Sequence, residues 1–243
     1  MRSLVDGARA VVIGASGGIG AAMVKALAQD DRIARIDALA RRPLEAGGKV
    51  RTDTIDVTDE ASIETVAARL GDGPLDLVLV TTGILHDDAG LRPEKTWRHL
   101  DAAALARAYA INAIGPALVA KHLLPKLRRD HKAVFAALSA RVGSIEDNRI
   151  GGWYAYRASK AALNQLLRTL AIELARRWPE AVCVGLHPGT TDTALSAPFQ
   201  TNVPEGKLFT PAFVAERLLA VVDELDATAS GGLYAWDGAR LPF

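Results

Sequence analysis

The stretch Ala10-Val-Val-Ile-Gly-Ala-Ser-Gly-Gly-Ile-Gly-Ala-Ala-Met-Val-Lys-Ala-Leu-Ala28 decides how this chain is read. A short β-branched run ends in Gly14-Ala-Ser-Gly-Gly-Ile-Gly20, and helix-forming residues follow at once. Strand, glycine turn and helix in that order let backbone approach a pyrophosphate, while the free N–H groups and dipole of the helix favour its negative charge. The spacing fits Gly-x-x-x-Gly-x-Gly (Gly14, Gly18, Gly20) and Gly-x-x-Gly-x-x-Gly (Gly14, Gly17, Gly20) equally well. The turn therefore does not choose among dinucleotide-binding patterns, and a purely structural turn is its bland alternative.

Outward from that stretch, Val- and Ile-rich runs alternate with segments of helical period, the pattern of βαβ units around a buried parallel sheet. Strands are predicted at Ala10–Ile13, Ile33–Leu39, Val50–Ile55, Leu75–Thr81, Ala133–Leu138, Val182–Leu186 and Leu233–Trp236. Helices are predicted at Gly18–Ala28, Asp59–Leu70, Asp101–Leu127, Tyr154–Arg177 and Pro211–Leu225. The stretch Thr190–Leu208 has no clear period and is expected to be a binding loop. The 243 residues suit one domain, with that loop of about 190–208 shaping the substrate site.

Composition narrows the function classes. With 29 basic and 28 acidic residues the net charge is +1, so no positive field points to nucleic acid or anionic lipid. The N-terminus lacks a signal-peptide core, and no run of about 18 apolar residues is uninterrupted, so a cytoplasmic protein without a membrane partner is expected. Cys183 is the one cysteine, which excludes an internal disulfide and suits a small buried side chain. His86, His99, His122, His131 and His187 form no zinc-type spacing, and no metal is expected. His187, at a strand end before Pro188, reads as a packing or hydrogen-bonding neighbour of the site.

About 20 positions past the turn, dinucleotide-binding strands often end in an acidic residue that holds a ribose hydroxyl. This chain has Leu39-Ala-Arg-Arg-Pro43 there. Arg41 and Arg42 would bond a 2′-phosphate that a carboxylate would repel, so NADP(H) is favoured and NAD(H) stays possible. Asp37, earlier on the strand, argues the other way. Asp56 either accepts a hydrogen bond from an adenine amine or caps a helix.

Tyr156-Arg-Ala-Ser-Lys160 lies near the start of the predicted helix Tyr154–Arg177. Positions i and i+4 share a helix face, which sets phenol beside ammonium. A free tyrosine is only about 0.1% phenolate at neutral pH, and a nearby cation raises that share. Such a tyrosine can protonate a carbonyl oxygen or take a hydroxyl proton. Tyr154 has Ala158 four positions on and lacks the pairing.

Together with Asn112 in Ile-Asn-Ala-Ile-Gly-Pro, a serine after the fifth strand and Pro188-Gly-Thr-Thr-Asp-Thr193, these motifs make the chain resemble the short-chain dehydrogenases/reductases in their compact form of about 250 residues. The stretch from Ser139 to Lys160 is similar to the C-factor and sniffer-like carbonyl reductases. The resemblance implies an α/β, Rossmann-type, doubly wound, mostly parallel seven-stranded sheet with helices on both faces. It implies Tyr156 as acid/base, Lys160 as its activator and a ribose ligand, and Ser139 as a hydrogen-bond donor to the substrate carbonyl. Asn112, at a local break in its helix, would hold a water linking Lys160 to solvent. Gly14, Ser16, Gly17, Gly18, Ile19, Gly20, Arg41, Arg42, Asp56, Val57, Gly83, Asn112, Pro188, Gly189 and Thr193 would line the cofactor beside the Tyr/Lys pair. A homodimer or homotetramer is implied as well.

Three departures from the family pattern stand out. Thr81-Thr-Gly-Ile84 replaces the usual Asn-Asn-Ala-Gly and loses its side-chain amides. Counting thirteen residues back from Tyr156 reaches Gly143 rather than serine, and anchoring on Gly143 instead puts Ala140 at the serine position. Ser139 is preferred because a few extra residues before Tyr156 explain the spacing, with Ser144 second. A basic residue common in the glycine turn of NADP-preferring members is absent. The expected function is hydride transfer between a nicotinamide cofactor and a carbonyl or alcohol. A dinucleotide sensor or signalling protein with incidental turnover is the alternative, and a lyase or isomerase using the same tyrosine is a third.

Overall fold

The computed structural model describes residues 1–201 and 203–243; Asn202, inside the predicted 190–208 loop, lies outside them. The strands are β1 (Ala8–Ile13), β2 (Ile33–Ala40), β3 (Val50–Thr54), β4 (Leu77–Val80), β5 (Ala133–Leu138), β6 (Ala181–His187), β7 (Thr190–Thr191), β8 (Leu208–Phe209), β9 (Leu233–Ala235) and β10 (Arg240–Leu241). Eight of them make one sheet in the order β10-β9-β6-β5-β4-β1-β2-β3, while β7 and β8 pair separately. Every pairing in the large sheet is parallel except β10 against β9. The expected seven strands are all present. The eighth, β10, is a two-residue edge strand, too short to show a period of its own.

The helices are α1 (Gly18–Ala28), α2 (Glu60–Arg69), α3 (Ala102–Tyr109), α4 (Gly115–Leu123), α5 (Tyr154–Leu174) and α6 (Pro211–Glu224). Side-chain alternation along the strands divides the core. Val182, Val184 and Leu186 of β6 pack with α1 and α6, whereas Ala181 and Cys183 face α5. Asp59, Asp101 and Thr210 cap α2, α3 and α6, so polar residues just before the apolar periods mark where those helices begin.

The predicted helix Asp101–Leu127 is broken in the middle. Ala110–Ile114 is a π-helical turn, and a short 3-10 turn, Leu124–Lys126, ends the run. Gly115 follows the π turn because a Cβ there would lie 2.9 Å from the Val57 carbonyl oxygen. By length and apolar content Ala102–Lys126 meets the requirement for a membrane span, yet here it packs against α2 and α5. Strand order reverses between β4 and β1, and in doubly wound sheets the crevice at the carboxyl ends beside that reversal takes the ligand.

Candidate active site

Main chain builds one half of that crevice. Gly14 and Ala15 donate to the Leu39 carbonyl, and Gly17 donates back to the Gly14 carbonyl, folding the turn over the ends of β1 and β2. Gly14 has φ +88°, and a Cβ there would meet Thr81 Oγ1 at 2.7 Å. Gly20 is tighter still, since its Cβ would lie 2.3 Å from the Gly14 carbonyl oxygen. Ser16, Gly17 and Gly18 are exposed, and Ile19 is half-buried. Gly17 caps α1 without a side chain, so the first-turn N–H groups of α1 face the crevice unshielded, as an anionic group requires. Thr81 takes up bracing work that the missing asparagines would do, its hydroxyl and its N–H both donating to the Ile13 carbonyl.

The end of β2 separates two acidic candidates from the basic pair. Asp37 is buried in ion pairs with Arg9 (2.9 Å) and Arg35 (2.7 Å), well before the carboxyl end of the strand. It is a sheet-stabilising carboxylate and leaves the strand end to Arg41 and Arg42, both exposed. Arg41, Thr54, Ile55, Asp56 and Ser62 line a cavity of about 230 Å³. Asp59 rather than Asp56 caps α2. Asp56 instead accepts from the Thr58 hydroxyl (2.7 Å) and N–H (2.9 Å), which hold its carboxyl below the usual range. Val57 is buried under the start of α4.

Side chains build the other half. Tyr156 and Lys160 share the face of α5 turned to β5, where Lys160 Nζ donates to the Leu138 carbonyl at 2.7 Å. That ammonium lies 5.8 Å from the centre of the Tyr156 ring. Burial pushes the lysine down to about 7 and the phenol up to about 12, favouring the neutral form of each. Gly83, in the loop after β4, passes over the pair, and a Cβ there would stand 3.7 Å from Lys160 Nζ. Gly143 packs on the Lys160 backbone, where a Cβ would be 2.8 Å from its carbonyl carbon.

Asn112 sits in the π turn, at the break that the family resemblance implies. Its Nδ2 donates to the Ile84 carbonyl (2.9 Å) and Ser159 Oγ (3.0 Å), and its Oδ1 accepts from the Ile84 N–H (2.8 Å). The side chain is thus spent on the loop after β4, leaving only its main chain for a water relay. Ser139 departs from its expected position at the reacting carbonyl. Its buried hydroxyl donates to Asn164 Oδ1 at 2.6 Å, and Asn164 lies about 12 Å beyond Tyr156 along the helix axis. The physical reason is strand alternation: Ser139 continues the β5 face formed by Phe135 and Ala137, which packs against α5. Ser144 is buried too, with Oγ accepting from the Asp147 N–H. Ala140 occupies the intervening position.

Pro188 and Gly189 follow β6, and Gly189 at φ +70° fits closely against Phe209 and Trp236. The Thr193 methyl reaches across to the glycine turn, 2.7 Å from where a Cβ of Gly18 would stand. His187 is held near 4 by burial and the Arg141 charge, and its Nδ1 is buried without a hydrogen-bond partner.

Two features had no sequence signal. Glu94 is buried, and its carboxylate accepts the Ala155 N–H (3.2 and 3.3 Å) while its carbonyl accepts the Trp153 N–H (2.6 Å). It caps α5 from 61 residues away, a distance at which no local capping pattern is visible. Trp153 itself has φ +53°, the only positive φ outside glycine among the described residues, at a cost of roughly 1–2 kcal/mol.

Proteins of known sequence and structure share this architecture. The family model described as short chain dehydrogenase matches residues 8–204. C-signal of Myxococcus xanthus is 35% identical over 70% of this chain and 94% of its own length. Cis-4-hydroxycyclohexanecarboxylate dehydrogenase of Sinomonas cyclohexanicum is 30% identical over 94% of both chains. The crystal structure of NADPH bound carbonyl reductase from chicken fatty liver superposes with a TM-score of 0.85 at 25% identity, covering 98% of this chain and 95% of that one.

Proposed function

The chain belongs to the short-chain dehydrogenase family, and from that premise we propose that it is an NADP(H)-preferring oxidoreductase that interconverts a small carbonyl compound and its alcohol. The observation that carries this reading is the pair of half-buried Tyr156 and buried Lys160 at the carboxyl end of β5, beside the glycine turn at the reversal of strand order. The cradle suits a dinucleotide, because its closest approaches are glycine positions that any Cβ would fill. Gly14, Gly17, Gly18, Gly20, Gly83, Pro188, Gly189 and Thr193 would hold it along the crevice. Arg41 and Arg42 would meet a 2′-phosphate, with Asp56 at the adenine end.

When bound, the dinucleotide supplies or takes up the hydride. Tyr156 donates its hydroxyl proton to the carbonyl oxygen in the reducing direction and takes the alcohol proton in reverse. Lys160, fixed by the Leu138 carbonyl and titrating at about 7, favours release of the phenol proton in the fraction that carries its charge. Asn112 positions the loop that carries Gly83. Ser139 acts through Asn164 as a positioning residue of α5 rather than at the substrate. The loop of about 190–208 shapes the substrate site, and the protein works in the cytoplasm as a homodimer or homotetramer.

The likeness to C-signal favours a second reading, a signalling protein in which dinucleotide occupancy matters and turnover is incidental. One experiment separates the two. Purified protein is titrated with NADPH and with NADH by fluorescence, and a panel of aldehydes and ketones is then added to the preferred complex. Tighter NADPH binding with cofactor oxidation is the expected result. Binding without oxidation of the cofactor by any of the panel turns the argument toward signalling, and absence of binding to either dinucleotide overturns both readings.

A further inference from the structure

Three loops at the carboxyl end of the sheet meet in a chain of rings. His86, after β4, lies edge-on to Phe199 at 5.7 Å between centroids. Phe199, after β6, is tilted on Trp153 at 5.2 Å, and Trp153, after β5, stands edge-on to Tyr156 at 6.2 Å. All four side chains are half-buried, so each keeps ring surface that the protein does not cover. His86 Nε2 lies 3.1 Å from the Ala194 carbonyl oxygen, which ties the segment carrying Phe199 to the loop after β4.

The backbone beneath this chain is held in an unfavourable state. Gly151, Gly152 and Trp153 have φ of +69°, +66° and +53°, three left-handed residues in a row. Glycine adopts that conformation freely, whereas an indole-bearing residue does not. A third glycine would relieve the strain at once, so the ring is what this position has beyond the backbone's own needs. Strain of this kind persists where surrounding structure enforces it and the site uses it. Here the enforcing contact is the Trp153 N–H donating to the Glu94 carbonyl, with the Glu94 carboxylate capping the same helix.

We propose that Trp153, Phe199 and His86 form the wall that receives the substrate's non-reacting part, and that the substrate class is an uncharged carbonyl compound with a flat aromatic ring next to the carbonyl. A further ring extends the edge-to-face and tilted series that these residues already adopt, with centroids about 4.5–7 Å apart. The inference rests on Tyr156 as the acid/base, since the wall ends on its ring. Glu94, a buried carboxylate behind Trp153, works against an anionic substituent at that wall.

Two variants and three readouts test this. In Trp153→Gly and Phe199→Ala, the ratio of kcat/KM for acetophenone to that for 2-butanone, measured with NADPH, is expected to fall at least tenfold. The melting temperature of Trp153→Gly is expected to match or exceed that of the parent, which separates loss of the ring from loss of the fold. Calorimetric titration of 1-phenylethanol into the NADPH complex, which cannot turn over, and into the free protein reads binding without chemistry. Weakening of that binding at least tenfold in either variant supports the wall even where no carbonyl is reduced, in which case it is the oxidoreductase reading that fails. A kcat/KM ratio or aryl binding within twofold of the parent in both variants overturns the proposal.

Discussion

The glycine turn after β1 and the Tyr156 region after β5 open at the same end of one sheet, yet they are made of different material. The turn is main chain, shaped by positions where a side chain has no room, such as Gly20 against the Gly14 carbonyl. The Tyr156 region is side chain, built by residues far apart in sequence: Leu138 under Lys160, Asn112 on Ile84, Asn164 on Ser139, Glu94 on Ala155. A main-chain site tolerates no added atom, while a side-chain site tolerates much in its supports and nothing in its reacting group. That difference teaches where each half should break.

The largest effect is expected in the side-chain half, at its reacting group. Tyr156→Phe should lower kcat about a thousandfold or more while cofactor affinity changes by a few-fold, because in the proposed reaction the removed hydroxyl transfers the proton. Steady-state kinetics beside a fluorescence titration checks it, and comparable losses in both would erase the contrast. Next is the main-chain half: Gly20→Ala should destabilise the protein by about 3 kcal/mol through overpacking against the Gly14 carbonyl. Urea unfolding of that variant, with dinucleotide binding measured alongside, reads both consequences.

Acid should expose the side-chain half first. His187 titrates near 4 in the folded protein against about 6.5 when unfolded, so between those values the unfolded chain binds more protons. The contribution of His187 is therefore fully present above about pH 6.5 and is lost as pH falls to about 4, by up to about 3 kcal/mol at about 1.4 kcal/mol per unit. Replacing His187 by Phe should flatten that part of the stability profile, followed by denaturant melts across the range. A smaller effect concerns the rim of the main-chain half. Arg41→Ala or Arg42→Ala should weaken NADPH about tenfold and leave NADH nearly unchanged, the loss being limited by solvent screening at an exposed site. Equal loss for both dinucleotides would remove the arginines from 2′-phosphate recognition. Smallest is Glu94→Ala, expected to cost about 1 kcal/mol as a lost helix cap. Its kcat should fall several-fold, far less than for Tyr156→Phe.

What the amino-acid order determined on its own was whatever depends on local spacing. The period of apolar residues located all seven expected strands and five helical segments, and the glycine spacing located the turn, because strand, turn and helix preferences act over a few residues. The Tyr156/Lys160 pairing was equally legible, since helix geometry alone sets i beside i+4. The break around Asn112 followed from family likeness, though the role of its amide did not. Only the tertiary structure decided which carboxylate and which hydroxyl are taken up by structural partners. Asp37 and Arg41 lie four residues apart, but one is buried in ion pairs and the other faces the crevice. Ser139 is preferred from the sequence although the usual spacing reaches Gly143, and strand alternation turns its hydroxyl into α5 and onto Asn164. Glu94, Trp153, Phe199 and His86 meet only because separate crossovers deliver their loops to the carboxyl end of the sheet. Spacing carries geometry within an element, but orientation between elements is fixed by packing, and buried polar groups take the partners that packing brings them.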